Sequence, residues 1–272
     1  MKLSLGFSPC PNDCFIFDAL LHGKIDTEGL KFNPVIQDVE ALNKRTTNPN
    51  PKGRKRQLDI TKLSFFAFAK QKNYVLLDSG AALGFGVGPL VVCHASAVTP
   101  FRAGASVAIP GKNTTANLLF SLAFPKMNNK KEILFSEIED AVLKGKFDLG
   151  VIIHESRFTY QQKGLKKVSD LGEWWEKKTK SPIPLGCIVI KKTFPKEIHK
   201  KVERVIRRSV EFAFANPESS KSFIKKHSQE MNDEVIQQHI NLYVNKFSIS
   251  LGKEGRKAVD VFLKKVNAMP RP

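Results

Sequence analysis

A lone histidine follows a strongly apolar segment near the middle of the chain. Residues Leu149 to Ile153 are aliphatic or glycine, and the character of the sequence changes abruptly at His154 and Glu155. Such a run is typical of a strand buried on both faces of a parallel sheet. Ligands of open α/β sheets bind beyond the carboxyl ends of these strands, so the pattern places His154 where a ligand would bind. With an ordinary pKa of about 6.5, a histidine there can act as a general base, or it can simply cap a neighbouring backbone group.

Three polar turns that precede predicted helices could supply the rest of a site. They are Ser8–Asp13, Thr61–Ser64 and Asn113–Ala116. Helix N-termini present unpaired N–H groups and the positive end of the helix dipole, so they can hold a carboxylate or several hydroxyl groups without a metal. The turns therefore predict a site for an anionic or hydroxyl-rich small molecule. The alternative is that Thr61 only caps the helix that follows it.

The order of the predicted elements distributes these turns over two lobes. Strand–turn–helix units fill the first part of the chain, and a long strand at Leu90–Cys93 ends it. A second set of units follows, and a second long strand at Pro182–Ile190 leads into a mainly helical tail. We expect an α/β protein with a discontinuous lobe formed by residues 1–93 and 188–272, and a second lobe formed by residues 94–187. A ligand would bind in the cleft between the lobes.

The chain is strongly basic, with 44 Lys and Arg residues against 26 Asp and Glu residues and a net charge of +18. This charge suits nucleic acid, an anionic membrane or an acidic small molecule as a partner. Lysines are interspersed with glutamates along most predicted helices, which is typical of solvated helix faces. One block without acids, residues 44–56, contains prolines and indicates a surface loop. We therefore expect a small-molecule substrate, and neither nucleic acid nor a membrane as partner.

The motifs argue against several cofactor and metal sites. The glycine-rich segment 84–88 is followed by Pro89 and a strand, whereas a dinucleotide-binding loop leads into a helix. Cys10 and Cys14 have no second Cys/His pair with zinc-finger spacing, and four cysteines in a chain of 272 residues do not indicate a disulfide framework. No apolar run approaches the roughly 20 residues that cross a bilayer, and the apolar start is too short for a signal peptide. We expect a cytoplasmic protein without a metal.

Four longer motifs make the chain similar to a known enzyme family. They are Gly6–Asp13, Thr61–Ser64, Gly84–Val92 and Ile152–Tyr160. Together they resemble the 1,4-dihydroxy-6-naphthoate synthases of the futalosine route to menaquinone, and the likeness extends over essentially the whole chain. The resemblance implies a two-lobed fold like that of type II periplasmic binding proteins, in a cytoplasmic lyase. It also implies cleavage of cyclic dehypoxanthinylfutalosine to 1,4-dihydroxy-6-naphthoate and dihydroxyacetone, without a cofactor.

The resemblance assigns roles to individual residues. His154 matches the proton acceptor of the family and is the implied catalytic residue. The implied substrate-binding residues are Lys62, Leu63, Ser64, Thr115 and Ala116. Asn12 and Asp13 match a motif that lines the same cleft in the family. Cys14 departs from the family pattern, which has threonine there, so a hydroxyl group is missing at that position.

Other functions remain open at this point. Chorismate dehydratase, an enzyme of the same pathway, has a similar fold, although the stretch His154–Tyr160 favours the synthase. A non-catalytic receptor for an anion or a polyol would share the architecture.

Overall fold

The computed structural model describes residues 1–47, 57–229 and 232–269, and the chain divides into two compact units. Unit 1 comprises Met1–Gly84 and Pro184–Pro272, and unit 2 comprises Phe85–Ile183. Most of the basic block predicted as a surface loop, residues 48–56, lies outside the described residues.

The described residues contain strands and helices that alternate along most of the chain. The strands are β1 (Lys2–Phe7), β2 (Lys31–Ile36), β3 (Ile60–Ser64), β4 (Tyr74–Leu76), β5 (Ala82–Gly84), β6 (Leu90–His94), β7 (Val107–Ile109), β8 (Lys130–Glu132), β9 (Leu149–Ile152), β10 (Leu165–Asp170) and β11 (Ile183–Lys191). The α-helices are α1 (Pro11–Leu21), α2 (Val39–Thr47), α3 (Phe65–Ala69), α4 (Thr115–Ala123), α5 (Ile138–Leu143), α6 (Ser156–Thr159), α7 (Leu171–Thr179), α8 (Lys196–Ala215), α9 (Lys221–His227), α10 (Asp233–Tyr243), α11 (Lys246–Ile249) and α12 (Gly252–Asn267). Short 3₁₀ turns lie at Phe135–Glu137 and Pro217–Ser220.

Unit 1 is built on a mixed sheet with the strand order β2-β1-β3-β11-β4, in which β5 also pairs with β11. Strand β1 runs parallel to β2 and β3, whereas β11 runs antiparallel to β3 and β4. The buried side chains of β1 and β11 pack with those of α1 and α8 in one core. Helix α8 buries Val202, Val205, Ile206 and Val210, which recur every three to four residues and so lie on one face.

Unit 2 has a sheet of its own, with the strand order β10-β6-β9-β7-β8. Strand β6 runs antiparallel to both β9 and β10, and β7 runs parallel to β8 and β9. All residues of β9 are buried, as expected for an apolar strand in the interior of a sheet. Because both partners of β6 are strands of unit 2, β6 belongs to unit 2, whereas the sequence pattern assigned Leu90–Cys93 to the first lobe.

The segment Thr61–Ser64 differs from its prediction. It is the continuation of strand β3 and not a polar turn, and all five residues of β3 are buried. The reason is tertiary pairing: β3 has β1 on one side and β11 on the other, so neighbouring backbones hold it extended despite its polar side chains. The helix that follows has only five residues, and its N-cap is Ser64, not Thr61.

Two strands of unit 2 differ from what the sequence pattern indicates. The apolar run Ile133–Phe135 favours a strand, but the strand lies earlier, at Lys130–Glu132, where it pairs with β7. The sequence of β10, Leu-Lys-Lys-Val-Ser-Asp, carries little apolar periodicity and does not indicate a strand. Antiparallel pairing with β6 holds it in place. In the part of the chain that the structure describes, no helix is both long and apolar enough to span a bilayer.

A close backbone contact joins the connection before β6 to the start of α7. A Cβ atom added to Gly88 would lie 2.2 Å from both the Cα and the N atom of Gly172. Asp170 caps α7 by accepting hydrogen bonds from the backbone N–H groups of Gly172 (2.8 Å) and Glu173 (3.1 Å). The glycine-rich segment 84–88 therefore serves helix–strand packing here, which agrees with the sequence argument against a dinucleotide loop.

We expect Gly88→Ala to destabilise the protein by about 3 kcal/mol or more, because the new methyl group would force two backbones apart. The control is Gly104→Ala, which places a methyl group in open space at a backbone φ of +74°, so only the left-handed conformation is penalised. Urea unfolding of both variants measures the difference. Equal losses of stability would contradict the packing role of Gly88.

Candidate active site

A buried ion pair lies at the centre of the polar residues of unit 1. The Nζ atom of Lys62 is 2.6 Å from Oδ1 of Asp13, and the two side chains are only 6% and 1% exposed. Lys62 lies on β3, and Asp13 lies in the first turn of α1. The pair therefore links the β1–α1 connection to the neighbouring strand of the same sheet.

The carboxylate of Asp13 is saturated with donors. Its Oδ2 atom accepts hydrogen bonds from the backbone N–H of Ser8 (3.0 Å) and from the Ser8 hydroxyl (2.8 Å). Its Oδ1 atom accepts from Asn12 Nδ2 (3.0 Å) as well as from Lys62. The turn Ser8–Asp13 was predicted as a ligand-facing polar turn. Its Ser8 and Asn12 donors instead hydrogen-bond to the carboxylate of Asp13 and hold it in place.

A histidine that sequence reasoning missed supports this turn from α10. The Asp13 carboxylate can only accept, so the amide nitrogen of Asn12 faces it and the amide oxygen faces away. That oxygen is 2.9 Å from Nε2 of His239, which consequently donates. His239 is fully buried, and its position on a helix far along the chain carries no pattern that links it to Asn12.

The predicted substrate-binding residues of unit 1 are consecutive on β3. Lys62 and Ser64 point to one side of the strand, because side chains alternate along a strand, and Leu63 points to the other. The Leu63 side chain is fully buried, and its backbone pairs with that of Cys187 on β11. Ser64 hydrogen-bonds to Asn43 of α2. Like His239, Asn43 is a residue that the sequence did not indicate as part of the site.

Strand β11 leaves room for the Lys62 side chain. A Cβ atom added to Gly186 would lie 3.0 Å from Cε of Lys62, so any larger residue would press on the lysine stem. Burial raises the pKa of the neighbouring Cys187 thiol well above its usual range, although the Lys62 charge opposes this. Cys187 is therefore a neutral thiol at physiological pH and not a nucleophile.

His154 lies in unit 2, on the connection between β9 and α6. Its backbone φ is +58°, a left-handed conformation that is uncommon for residues other than glycine. The imidazole packs edge-on against the ring of Phe135, with ring centroids 4.9 Å apart. Such strained conformations cluster at functional sites, so the backbone supports a functional hypothesis for this residue.

The residues that follow His154 are anchored to the rest of unit 2. The Ser156 hydroxyl donates to Oε2 of Glu139 (2.7 Å), and that oxygen also accepts from Nζ of Lys163 (2.8 Å). The Arg157 guanidinium donates to the backbone carbonyl of Gly88 and to Oδ2 of Asp170, the latter at 2.8 Å. These contacts fix the turn on which His154 lies.

Thr115 and Ala116, the other predicted substrate contacts, are the first two residues of α4. Thr114 is the N-cap, and its hydroxyl oxygen accepts from the backbone N–H of Asn117 (3.2 Å). The first N–H groups of a helix have no acceptor within the helix, and Thr115 and Ala116 lie in this first turn of α4. The prediction of a helix start at this turn is confirmed.

Comparison with known proteins shows the family to which the chain belongs. Residues 3–268 match the family model described as menaquinone biosynthesis. A 1,4-dihydroxy-6-naphthoate synthase of Thermus thermophilus is 45% identical over 260 residues, which cover 94% of this chain and 91% of that protein. A protein of the same name from Streptomyces coelicolor is 39% identical, with 94% and 90% coverage.

A comparison of structures gives the fold. A Candida albicans protein described as having the generic periplasmic binding protein fold matches with a TM-score of 0.70 at 14% identity. The match covers 100% of this chain and 92% of that one. At this identity the likeness concerns the fold alone, and the α/β, periplasmic-binding-protein-like fold that the sequence predicted is confirmed.

Removing the charge of Asp13 tests the ion pair. We expect Asp13→Asn to destabilise the protein by about 3–5 kcal/mol, because it leaves the Lys62 ammonium buried without a counter-charge. The double variant Asp13→Asn, Lys62→Met should recover part of this loss. Chemical denaturation of the three proteins provides the measurement.

The matched control for this experiment is Asp59→Asn. Asp59 also pairs with a lysine, Lys191, at 2.8 Å, but both side chains are about a quarter exposed, so water can replace the lost partner. A loss of stability for Asp13→Asn no larger than that for Asp59→Asn would contradict the account.

Proposed function

Because the chain belongs to the menaquinone biosynthesis family, we propose that it is a 1,4-dihydroxy-6-naphthoate synthase, a lyase that converts cyclic dehypoxanthinylfutalosine to 1,4-dihydroxy-6-naphthoate and dihydroxyacetone. The observation that carries the proposal is the 45% identity to the Thermus thermophilus enzyme over almost the full length of both chains. The substrate is a small molecule, as the sequence led us to expect.

In the proposed mechanism His154 is the general base. It takes a proton from a hydroxyl group on the sugar-derived ring of the substrate. The electron pair left on that oxygen forms a carbonyl as the neighbouring carbon–carbon bond breaks, and the pair of the broken bond passes to the other fragment as an enolate, in the manner of a retro-aldol reaction. Transfer of protons from ring carbon to oxygen then makes the second ring of the naphthalene aromatic, and this aromatisation drives the reaction forward.

Two features of unit 2 support this role for His154. The imidazole is a suitable base because the ordinary pKa of histidine lies near neutral pH. The left-handed backbone at His154, together with the anchored residues Ser156 and Arg157, restricts the position of the ring. A restricted base contributes more to a proton transfer than a mobile one, because less freedom is lost on reaching the reactive geometry.

The remaining assigned residues would bind the substrate. Lys62 and Ser64 offer hydrogen-bond donors on one side of β3, and Thr115 and Ala116 lie at the N-terminus of α4, where the helix dipole is positive. Donors of this kind can stabilise negative charge that develops on oxygen atoms during the cleavage. Leu63 would contribute through its main chain or its neighbours, since its own side chain lies on the opposite side of the strand.

We expect His154→Ala to lower turnover by about 10²–10⁴-fold, the usual contribution of a general base, while ligand binding changes little. The measurement is incubation with cyclic dehypoxanthinylfutalosine and chromatography of both products. Wild-type protein that forms neither product would remove the proposed function itself.

The control for this variant is His94→Ala, because His94 is also a histidine at a strand end of unit 2 but is exposed, and its ring is hydrogen-bonded to Ser96 two residues further on. We expect the His94 variant to keep wild-type turnover. Turnover of the His154 variant within a factor of three of the wild type would exclude His154 as the base and leave the family assignment intact.

A further inference from the structure

The hydrogen bonds between Ser64 and Asn43 fix which atoms donate and which accept. The backbone N–H of Ser64, which can only donate, is 3.0 Å from the side-chain oxygen Oδ1 of Asn43. The amide nitrogen Nδ2 of Asn43 therefore faces the other way, and the orientation of this amide follows from the backbone alone.

The Nδ2 group of Asn43 then determines the role of the Ser64 hydroxyl. It lies 3.1 Å from Oε2 of Glu40 and 3.1 Å from Oγ of Ser64, so its two hydrogens serve these two oxygens. Since Nδ2 can only donate, Oγ of Ser64 accepts, and the hydroxyl hydrogen must point elsewhere. Ser64 is the N-cap of α3 but makes no capping bond with its side chain.

Ser64 therefore presents a buried donor. The residue is only 4% exposed, and among the described residues no acceptor for its hydroxyl hydrogen lies within hydrogen-bonding distance. A buried donor without an acceptor is costly, and such a group needs a partner from outside the chain. The amide of Asn43 thus leaves the Ser64 hydroxyl hydrogen for a partner outside the chain.

Lys62 presents a second donor on the same side of β3. It is two residues earlier, which corresponds to about 7 Å along an extended strand. The ammonium group has three hydrogens, and within the described part of the chain the Asp13 carboxylate supplies its single side-chain acceptor. Asp13 holds the ammonium in place, while its own oxygens are occupied by Ser8 and Asn12 and cannot accept from a ligand.

We propose that the Lys62–Ser64 side of β3 binds the carboxylate of the substrate, and that Asn43 and Asp13 are positioning residues that leave hydrogens of Ser64 and Lys62 for this ligand. The proposal rests on the proposed function, whose product is a naphthoate and so carries a carboxylate. A carboxylate has two oxygens that only accept, so it can take a hydrogen from each of these two residues. The Ser64 oxygen keeps one lone pair after accepting from Asn43, but Lys62 can only donate, so this side of the strand offers more donors than acceptors.

The test compares 1,4-dihydroxy-6-naphthoate with its methyl ester as ligands, by isothermal titration calorimetry under argon. We expect the wild type to bind the acid at least about tenfold more tightly than the ester, because a hydrogen bond to a charged group is stronger than one to a neutral ester. Ser64→Ala should weaken binding of the acid by about tenfold or more and change binding of the ester little.

Asn43→Asp tests the positioning role, in a Glu40→Gln background because the new carboxylate would otherwise face that of Glu40. Its first oxygen can still accept from the backbone N–H of Ser64, but the second would accept the Ser64 hydroxyl hydrogen and draw it away from the ligand. Relative to Glu40→Gln alone, we expect it to reduce the preference for the acid as much as Ser64→Ala does. The double variant should lose no more than either single variant, because both changes remove the same donor.

Thr46→Ala is the matched control. Thr46 lies on the same helix, is equally buried, and donates from its hydroxyl to the backbone carbonyl of Asn43 at 2.8 Å. Its loss should leave the preference for the acid unchanged. Circular dichroism establishes that each variant is folded, and if the Asn43 variant is not, Ser64→Ala decides the matter alone.

Two outcomes would overturn the proposal. One is an acid-to-ester preference in Ser64→Ala within twofold of the wild type, which would place the carboxylate elsewhere, as on the N–H groups of α4. The other is equal binding of acid and ester by the wild type. If the same wild-type preparation still cleaves the cyclic substrate, the proposed function stands and only the carboxylate subsite fails.

Discussion

The buried contact between Lys62 and Asp13 is the constraint on which the polar residues of unit 1 depend. Burying two charges costs more free energy than their attraction usually returns, so such a pair is weak evidence for stability. Here the donors around Asp13 offset part of that cost, and the pair joins the β1–α1 connection to strand β3. We interpret the pair as a contact that fixes the position of the Lys62 ammonium group, so that its remaining hydrogens can serve a ligand.

Unit 2 fixes the position of His154, the residue that we propose as the general base. His154 follows an apolar strand in the interior of its sheet, and the next residues are tied to α5 and to the cap of α7 through Glu139 and Asp170. The chain has to turn sharply after β9, and the left-handed φ at His154 is how it does so. Strain at this position is compatible with a stable protein because Ser156 and Arg157 hold the turn from the C-terminal side.

Much of this organisation could be predicted from sequence because it is local. The run before His154 indicates a buried strand, and the turn Asn113–Ala116 indicates the start of a helix. The segment Thr61–Ser64 could not be read correctly, because the same hydroxyl residues that favour a helix cap also occur in a strand that neighbours hold on both sides. Asn43 and His239 were missed for a related reason: each is a single polar residue on an ordinary helix, and only tertiary contacts bring it to Ser64 or to Asn12.

The most direct test of the central claim, that β3 recognises the acidic end of the substrate, is a crystal structure of the protein with 1,4-dihydroxy-6-naphthoate bound. The account requires the carboxylate oxygens to lie within hydrogen-bonding distance of Nζ of Lys62 and Oγ of Ser64, with Asn43 and Asp13 in the positions described above. A carboxylate bound to the first N–H groups of α4, with a ring hydroxyl group against Ser64, would contradict it.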